Sequence, residues 1–359
     1  MSRLKRILTT HCLAALTATA CTPRAPTESA RPKQDRRVLG VYYQPSPKTP
    51  AELQRVIEGD PGGRQAFTHA MAAVVRFERA GTREVWRDYL AAAARVGRGR
   101  FRCVFDVHVL ANDEWLTNGR FAGLMHRMLE SEHADLIGGW YVCDEALGRS
   151  IQGRKNPVDL KPMWDLVIAI RSVAKQTNRP QMIYADYASV LPLLKRGGDP
   201  IKGGYADYTA DPAQRAPFLW GGHWVGKVDD PRYNEGNPIV RGYGFFGEDV
   251  TMVNWWGDAA ELHRWAPRIL SELPTNKLHL GICYDWTPST PSNNAKGLAR
   301  TADVTNKAKE LGVVGFWFWS WQAIDAGGKR YKGLREWWET APGEEHARRY
   351  ASLVESLGR

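Results

Sequence analysis

The sequence predicts an α/β fold, a (β/α)8 barrel of the TIM type with a long aromatic insertion between its fifth and sixth strands. Three observations carry this expectation. From residue 38 onward, eight short runs of apolar, β-branched and aromatic residues alternate with longer segments of helical period. The runs are continuously apolar, as strands buried on both faces must be, and do not alternate apolar with polar. The first run passes through Val41, Tyr42, Tyr43, Gln44 and Pro45 without the Gly-rich phosphate loop that a doubly wound open sheet would place there. A chain of 359 residues accommodates one such barrel.

In chain order, residues 1–20 read as an export signal of the lipoprotein type. Arg3, Lys5 and Arg6 precede an apolar stretch, and the small residues Ala18, Thr19 and Ala20 precede Cys21, the expected site of lipidation. Residues 21–37 are rich in Pro, Arg and Ser, lack apolar periodicity and read as a flexible tether. Residues 38–359 form the expected barrel domain. Its strands are predicted at 38–44, 71–77, 101–107, 136–142, 181–187, 250–255, 278–284 and 313–319. Helices are predicted at 83–96, 120–133, 160–176, 259–273, 295–311 and 334–357. Between the fifth and sixth runs lie about 60 residues, roughly twice what a βα unit needs. That interval holds Tyr205, Tyr208, Phe218, Trp220, His223, Trp224 and Tyr233 among glycines and prolines, and so reads as a specificity loop or a structural lid.

Charge and cysteine usage exclude several function classes. Eight basic residues within 1–37, against Glu28 and Asp35, carry six of the ten net positive charges, so the body of the chain is nearly balanced. That leaves no basic stripe to track phosphates, and no zinc-knuckle, helix-turn-helix or RNP signature is present, so nucleic acid is not an expected partner. Beyond the leader no run approaches the roughly 20 apolar residues of a membrane-spanning helix, so membrane contact is expected only through a lipid on Cys21. Cys103, Cys143 and Cys283 are an odd set in apolar runs and read as buried free thiols. His126 and His133 are seven apart on a predicted helix, two turns and too far for one ion, so neither metal nor other cofactor is expected. The chain is expected to act as a monomer.

Catalytic groups of such barrels stand at the carboxyl ends of the strands. Those ends are acidic here: Asp106 and His108 after the third run, Asp144 and Glu145 after the fourth, Asp186 in the fifth, Asn254 and Asp258 at the sixth, Asp285 after the seventh. Paired carboxylates are what glycosidic cleavage requires, one to protonate the leaving oxygen and one to attack the anomeric carbon or activate water. Any one of them can instead cap a helix, and Asp258, just before Ala259 and Ala260, fits that role. Aromatic and polar residues at the same ends and in the insertion are expected to contact substrate. They are Tyr43, His108, Trp140, Tyr184, Trp220, His223, Trp224, Asn254, Trp255, Tyr284, Trp317 and Trp319. Trp164, Trp265, Trp337 and Trp338, on predicted helices, read as packing residues.

The run Gly138-Gly139-Trp140-Tyr141-Val142-Cys143-Asp144-Glu145, together with Gly315-Phe316-Trp317-Phe318-Trp319-Ser320-Trp321, resembles the retaining (β/α)8 glycoside hydrolases of clan A. The resemblance implies an acid/base at Glu145, a partner at Asp285 and an aromatic sugar floor at Trp319 or Trp317. Two departures stand out: Asp144 occupies the place of the family's Asn, and Asp285 that of its nucleophilic Glu. The shorter Asp285 serves as nucleophile or as the base of an inverting enzyme, with Asp186 or Asp106 as the other candidate partners. If the fourth strand alternates regularly, Asp144 and Glu145 point to opposite sides and Glu145 faces the mouth. The expected function is an exported glycoside hydrolase acting on a polysaccharide or glycoconjugate. The alternative is a non-catalytic glycan-binding barrel lipoprotein.

Overall fold

The structure, a computed structural model, describes residues 38–43, 67–72, 85–97, 101–111, 114–144, 161–188, 218–220, 223–225, 248–255, 258–260, 262–264, 277–283, 291–319, 324–326, 329–331, 352–353 and 356–357. The expected signal peptide and tether, with Cys21, lie outside the described residues.

Eight parallel strands close into a barrel: β1 Val38–Tyr43, β2 His69–Ala72, β3 Arg102–Asp106, β4 Ile137–Cys143, β5 Ile183–Ala188, β8 Val250–Trp255, β9 Lys277–Cys283 and β10 Gly315–Trp319. Each overlaps one of the eight apolar runs of the sequence, and β2 starts two residues before its run. The order around the barrel follows the chain, and β10 closes on β1 with Val38 opposite Gly315 and Gly40 opposite Trp317. Among the described residues, two short antiparallel hairpins stand outside this sheet. One, β6 Phe218–Trp220 with β7 His223–Val225, falls in the interval between β5 and β8. The other, β11 Ile324–Ala326 with β12 Lys329–Tyr331, follows β10 and had no counterpart in the sequence reading.

The described helices are α1 Val85–Gly97, α2 Glu114–Thr117, α3 Arg120–Leu129, α4 Lys161–Gln176 and α5 Pro291–Glu310. The last begins four residues before the expected start, at a proline, whose fixed φ and missing N–H suit the first helical position. Helices α4 and α5 stop the same way. After α4, Asn178 takes φ 53° while Arg179 N donates to Ala174 O at 2.9 Å. After α5, Gly312 takes φ 83° while Val313 N donates to Ala308 O at 3.0 Å. Both are Schellman turns that consume a free end carbonyl and redirect the chain toward the next strand. No helix among the described residues is long and apolar enough to cross a membrane.

The strand period of two divides the core. Leu39, Val41, Phe105, Trp140, Ile183 and Phe318 face outward and pack with helix residues such as Trp86, Phe121, Leu166 and Ile170. Val38, Met71, Val104, Tyr141, Tyr184, Val250, Met252 and Trp317 face inward and fill the barrel, with Tyr42 and Met182 against them. Large inward side chains fit because a glycine stands opposite several of them. A Cβ on Gly40 would run into the Trp317 indole, one on Gly315 into the His279 ring, and one on Gly281 into Asn254 Oδ1. At Gly139, φ 143° and a Cβ position 2.7 Å from Tyr184 Cε2 both demand glycine. An ion pair staples the outside of the sheet. Asp249 Oδ2 accepts from Arg171 Nη2 at 2.7 Å and from Ile183 N at 3.0 Å, tying α4 to the starts of β5 and β8.

Candidate active site at the carboxyl end of the barrel

Four strands deliver a connected polar cluster to the carboxyl end. Asp106 ends β3, and the chain turns into a short 3-10 segment at His108–Leu110. Asp106 Oδ1 accepts from the His108 backbone N at 3.2 Å and lies 2.5 Å from His108 Nδ1. His108 Nε2 lies 4.0 Å from Asp144 Oδ2. The other Asp144 oxygen lies 3.2 Å from the Tyr141 hydroxyl. The same hydroxyl lies 3.2 Å from Asp186 Oδ2, which the Tyr42 hydroxyl also reaches, at 3.5 Å. Asp106, His108, Asp144, Tyr141, Asp186 and Tyr42 thus form a continuous chain from β3 through β4 and β5 to β1.

Exposure grades along that chain. The Asp144 side chain is 33% exposed, those of His108 and Asp106 are 17% and 15%, and Asp186 is fully buried. Asp144 therefore stands where a ligand can reach it, and Asp186 lies beneath. Burial pushes the Tyr141 phenol well above its ordinary pKa, and the negative charge of Asp186 adds to the effect, with Tyr42, Asp144 and Asp106 contributing less. Tyr141 therefore keeps its proton and acts as a donor to carboxylates.

The layer below is closed. Trp317 Nε1 donates to His279 Nδ1 at 3.0 Å. Tyr184 packs on Trp317 with ring centroids 5.7 Å apart and on His279 at 5.9 Å. Trp317 and Tyr184, both expected to contact substrate, are fully buried and pack in the core within the barrel. His69, against the Trp317 edge, has its pKa pushed down to about 3 by burial and, secondarily, by the positive charge of Arg102. On the outer face, burial pushes the Cys103 thiol up, an inert core thiol as the sequence suggests.

Two further tryptophans expected at the site, Trp140 and Trp255, pack in the outer layer. Trp140 is fully buried between sheet and helices, packs on Phe105 and Phe121, and donates from Nε1 to Gln181 Oε1 at 2.9 Å. Trp255 also packs in the outer layer and donates from Nε1 to Asp258 O at 3.1 Å. Both tryptophans point away from the mouth. Asn254 is half-buried against Gly281 on the inner face.

The fourth strand departs from the regular alternation expected of it. Its pairing with β5 shifts between Tyr141 and Cys143, and Val142 and Cys143 both pack in the outer layer while Tyr141 packs inside. This irregularity turns Asp144 onto the same side as Tyr141, so Asp144 faces the cluster that regular alternation would have denied it. Glu145, Tyr284 and Asp285 lie outside the described residues. Tyr43 and Trp319 close their strands opposite Ala72 and Cys283. Trp220, His223 and Trp224 belong to the β6–β7 hairpin, with Trp220 opposite His223 and Leu219 opposite Trp224. Tyr42 and Tyr141 were not among the expected site residues. Inward strand position near a carboxyl end was their one signal, and many core tyrosines share it. Among the described residues, no group of three or more His, Cys, Asp or Glu is placed to hold a metal ion.

No family model matches the chain, and no curated protein matches it in sequence. Solved structures do match it in fold. The chain is similar to the family 1 β-glucosidase from Thermotoga maritima, with TM-score 0.52 at 10% identity over 91% of this chain and 99% of that one. It is also similar to the endo-β-1,4-mannanase from Thermotoga petrophila, with TM-score 0.52 at 11% identity over 92% of this chain and 78% of that one. At these identities the likeness is one of fold.

Proposed function

We propose that the chain is a glycoside hydrolase that cleaves a polysaccharide or glycoconjugate through carboxylates at the barrel mouth. The observation that carries this reading is the gathering of Asp106, Asp144 and Asp186 from three neighbouring strands around Tyr141 and His108. Glycosidic cleavage needs one carboxyl group as donor and a second as nucleophile or base, and the cluster brings three together. A β-glucosidase and a mannanase built on the same fold support the choice of substrate class. In this reading Glu145 protonates the leaving oxygen and Asp285 attacks or activates water. Asp144, which the strand irregularity turns toward the mouth, is the competing acid, and Asp186 and Asp106 are the competing partners. Export, and a lipid on Cys21, belong to the same proposal. Labelled palmitate incorporated by the full chain and lost in Cys21→Ala supports the anchor, and label that persists in that variant overturns it.

The full chain incubated with a panel of polysaccharides, with products resolved by chromatography, tests the activity. Cleavage that falls on the order of 10²-fold or more in Glu145→Gln, with an unchanged melt, supports Glu145 as the acid. The same fall in Asp144→Asn alone moves the role to Asp144. Glycan bound but never cleaved replaces the enzyme with the glycan-binding alternative.

A further inference from the structure

The short turn after β3 holds one histidine in a single orientation. Asp106 Oδ1 accepts from the His108 backbone N at 3.2 Å, a side-chain-capped turn that fixes where residue 108 starts. The same oxygen lies 2.5 Å from His108 Nδ1. An ionised carboxylate can only accept, so the hydrogen of a neutral His108 sits on Nδ1 and its lone pair on Nε2. Tyr141 holds the ring from the side, edge to face, with centroids 6.1 Å apart and planes at 83°.

That orientation determines what Nε2 meets, which is Asp144 Oδ2 at 4.0 Å. The separation is too long for a direct hydrogen bond and within the span that one shared donor hydroxyl can bridge. Such a bridge would draw Asp144 toward His108, while the Tyr141 hydroxyl lies 3.2 Å from its other oxygen.

We propose that His108, oriented by Asp106, is a positioning residue that presents Nε2 to Asp144 and fixes that carboxylate at the barrel mouth. The consequence for turnover rests on the glycoside hydrolase reading, and the orientation itself does not.

Two measurements on the full chain separate the inference from the reading it rests on. Long-range proton–nitrogen NMR of the histidine side chains reports which ring nitrogen carries hydrogen, with His108 assigned by its loss in His108→Gln. The expected result is the Nδ1–H form for neutral His108. Asp144→Asn is expected to move its Nε2 resonance and leave Nδ1 in place. An Nε2–H form in the wild type, or an Nε2 resonance indifferent to Asp144→Asn, overturns the proposal whether or not the protein cleaves anything. Where a glycoside is cleaved, His108→Ala should lower kcat about tenfold with KM little changed, and His108→Gln, whose amide reaches the Nε2 position, should restore part of it. Equal loss in both variants, or loss confined to KM, also overturns it. A panel on which the wild type cleaves nothing defeats the hydrolase reading, and the NMR result still decides the orientation.

Discussion

The Tyr141 hydroxyl lies 3.2 Å from Asp186 Oδ2 and equally far from Asp144 Oδ1, so its one hydrogen is shared between them where Tyr141 is 2% exposed and Asp186 is fully buried. A buried carboxylate is tolerated only when donors replace its lost hydration, and Tyr141, held in its protonated form by burial and by Asp186 itself, is such a donor. Tyr141→Phe should therefore destabilise the fold by about 1–3 kcal/mol in chemical denaturation. Tyr42→Phe should cost less, because its hydroxyl stands 3.5 Å from the same oxygen, at the edge of hydrogen bonding. Equal costs in the two variants would contradict the assignment of Tyr141 as the main support of Asp186.

Gly40 and Trp317 are register partners on β1 and β10, and the indole occupies the space a Cβ on Gly40 would need. The ring has no room to retreat, because Tyr42, His69 and Tyr184 pack edge-on around it. Gly40→Ala should cost at least about 1–3 kcal/mol through overpacking, read as a fall in melting temperature. Gly123→Ala is the control. Gly123 lies within α3, its Cβ would meet nothing nearer than Arg127 Nη1 at 3.9 Å, and alanine there should stabilise by about 0.5–1 kcal/mol.

The barrel was legible because closed parallel strands are buried on both faces, and β1, β4 and β10 accordingly read as unbroken apolar runs. The acids Asp106, Asp144 and Asp186 were legible as strand-end residues, a place where apolar packing does not require them. What sequence could not give was the face. Trp140 and Tyr141 are adjacent and chemically alike as strand aromatics, yet one is outer core and the other lies under the mouth. The shifted pairing of β4 reverses the facing of Asp144, and no residue in Tyr-Val-Cys-Asp signals it. Gly315, Gly281 and Gly40 were equally silent, because each is required by a side chain on a neighbouring strand far away in sequence.

Trp140 gives a direct test of that assignment. Its indole packs on Phe105 and Phe121 and its Nε1 satisfies Gln181 Oε1. Trp140→Phe removes ring volume and leaves the Gln181 carbonyl without this donor, and should cost about 1–3 kcal/mol. Glycan binding or cleavage at 25 °C, well below the melt, should change by less than about twofold, because the ring points away from Asp144. A large loss of binding with an unchanged melt would return Trp140 to the site.

His69 links the barrel interior to acid stability. Burial, and secondarily Arg102, lowers its pKa from the ordinary 6.5 to about 3. Between those values the unfolded chain binds a proton at residue 69 that the folded chain refuses, so stability must fall as pH drops from 6.5 toward 3. Above 6.5 both states are neutral at this residue and it contributes no slope. Its neighbours restrict the alternatives: Thr68 Oγ1 sits 2.8 Å from Nδ1, the Trp317 ring lies alongside with centroids 6.0 Å apart, and Arg102 supplies the nearby charge. Other titrating groups act in the same window, so the informative quantity is the difference between wild type and His69→Asn. Denaturation measured at intervals from pH 7 to pH 4 should show the two curves converging as the pH falls, because the variant lacks the proton uptake on unfolding that His69 contributes. Parallel curves through that range would show that His69 titrates normally in the folded barrel.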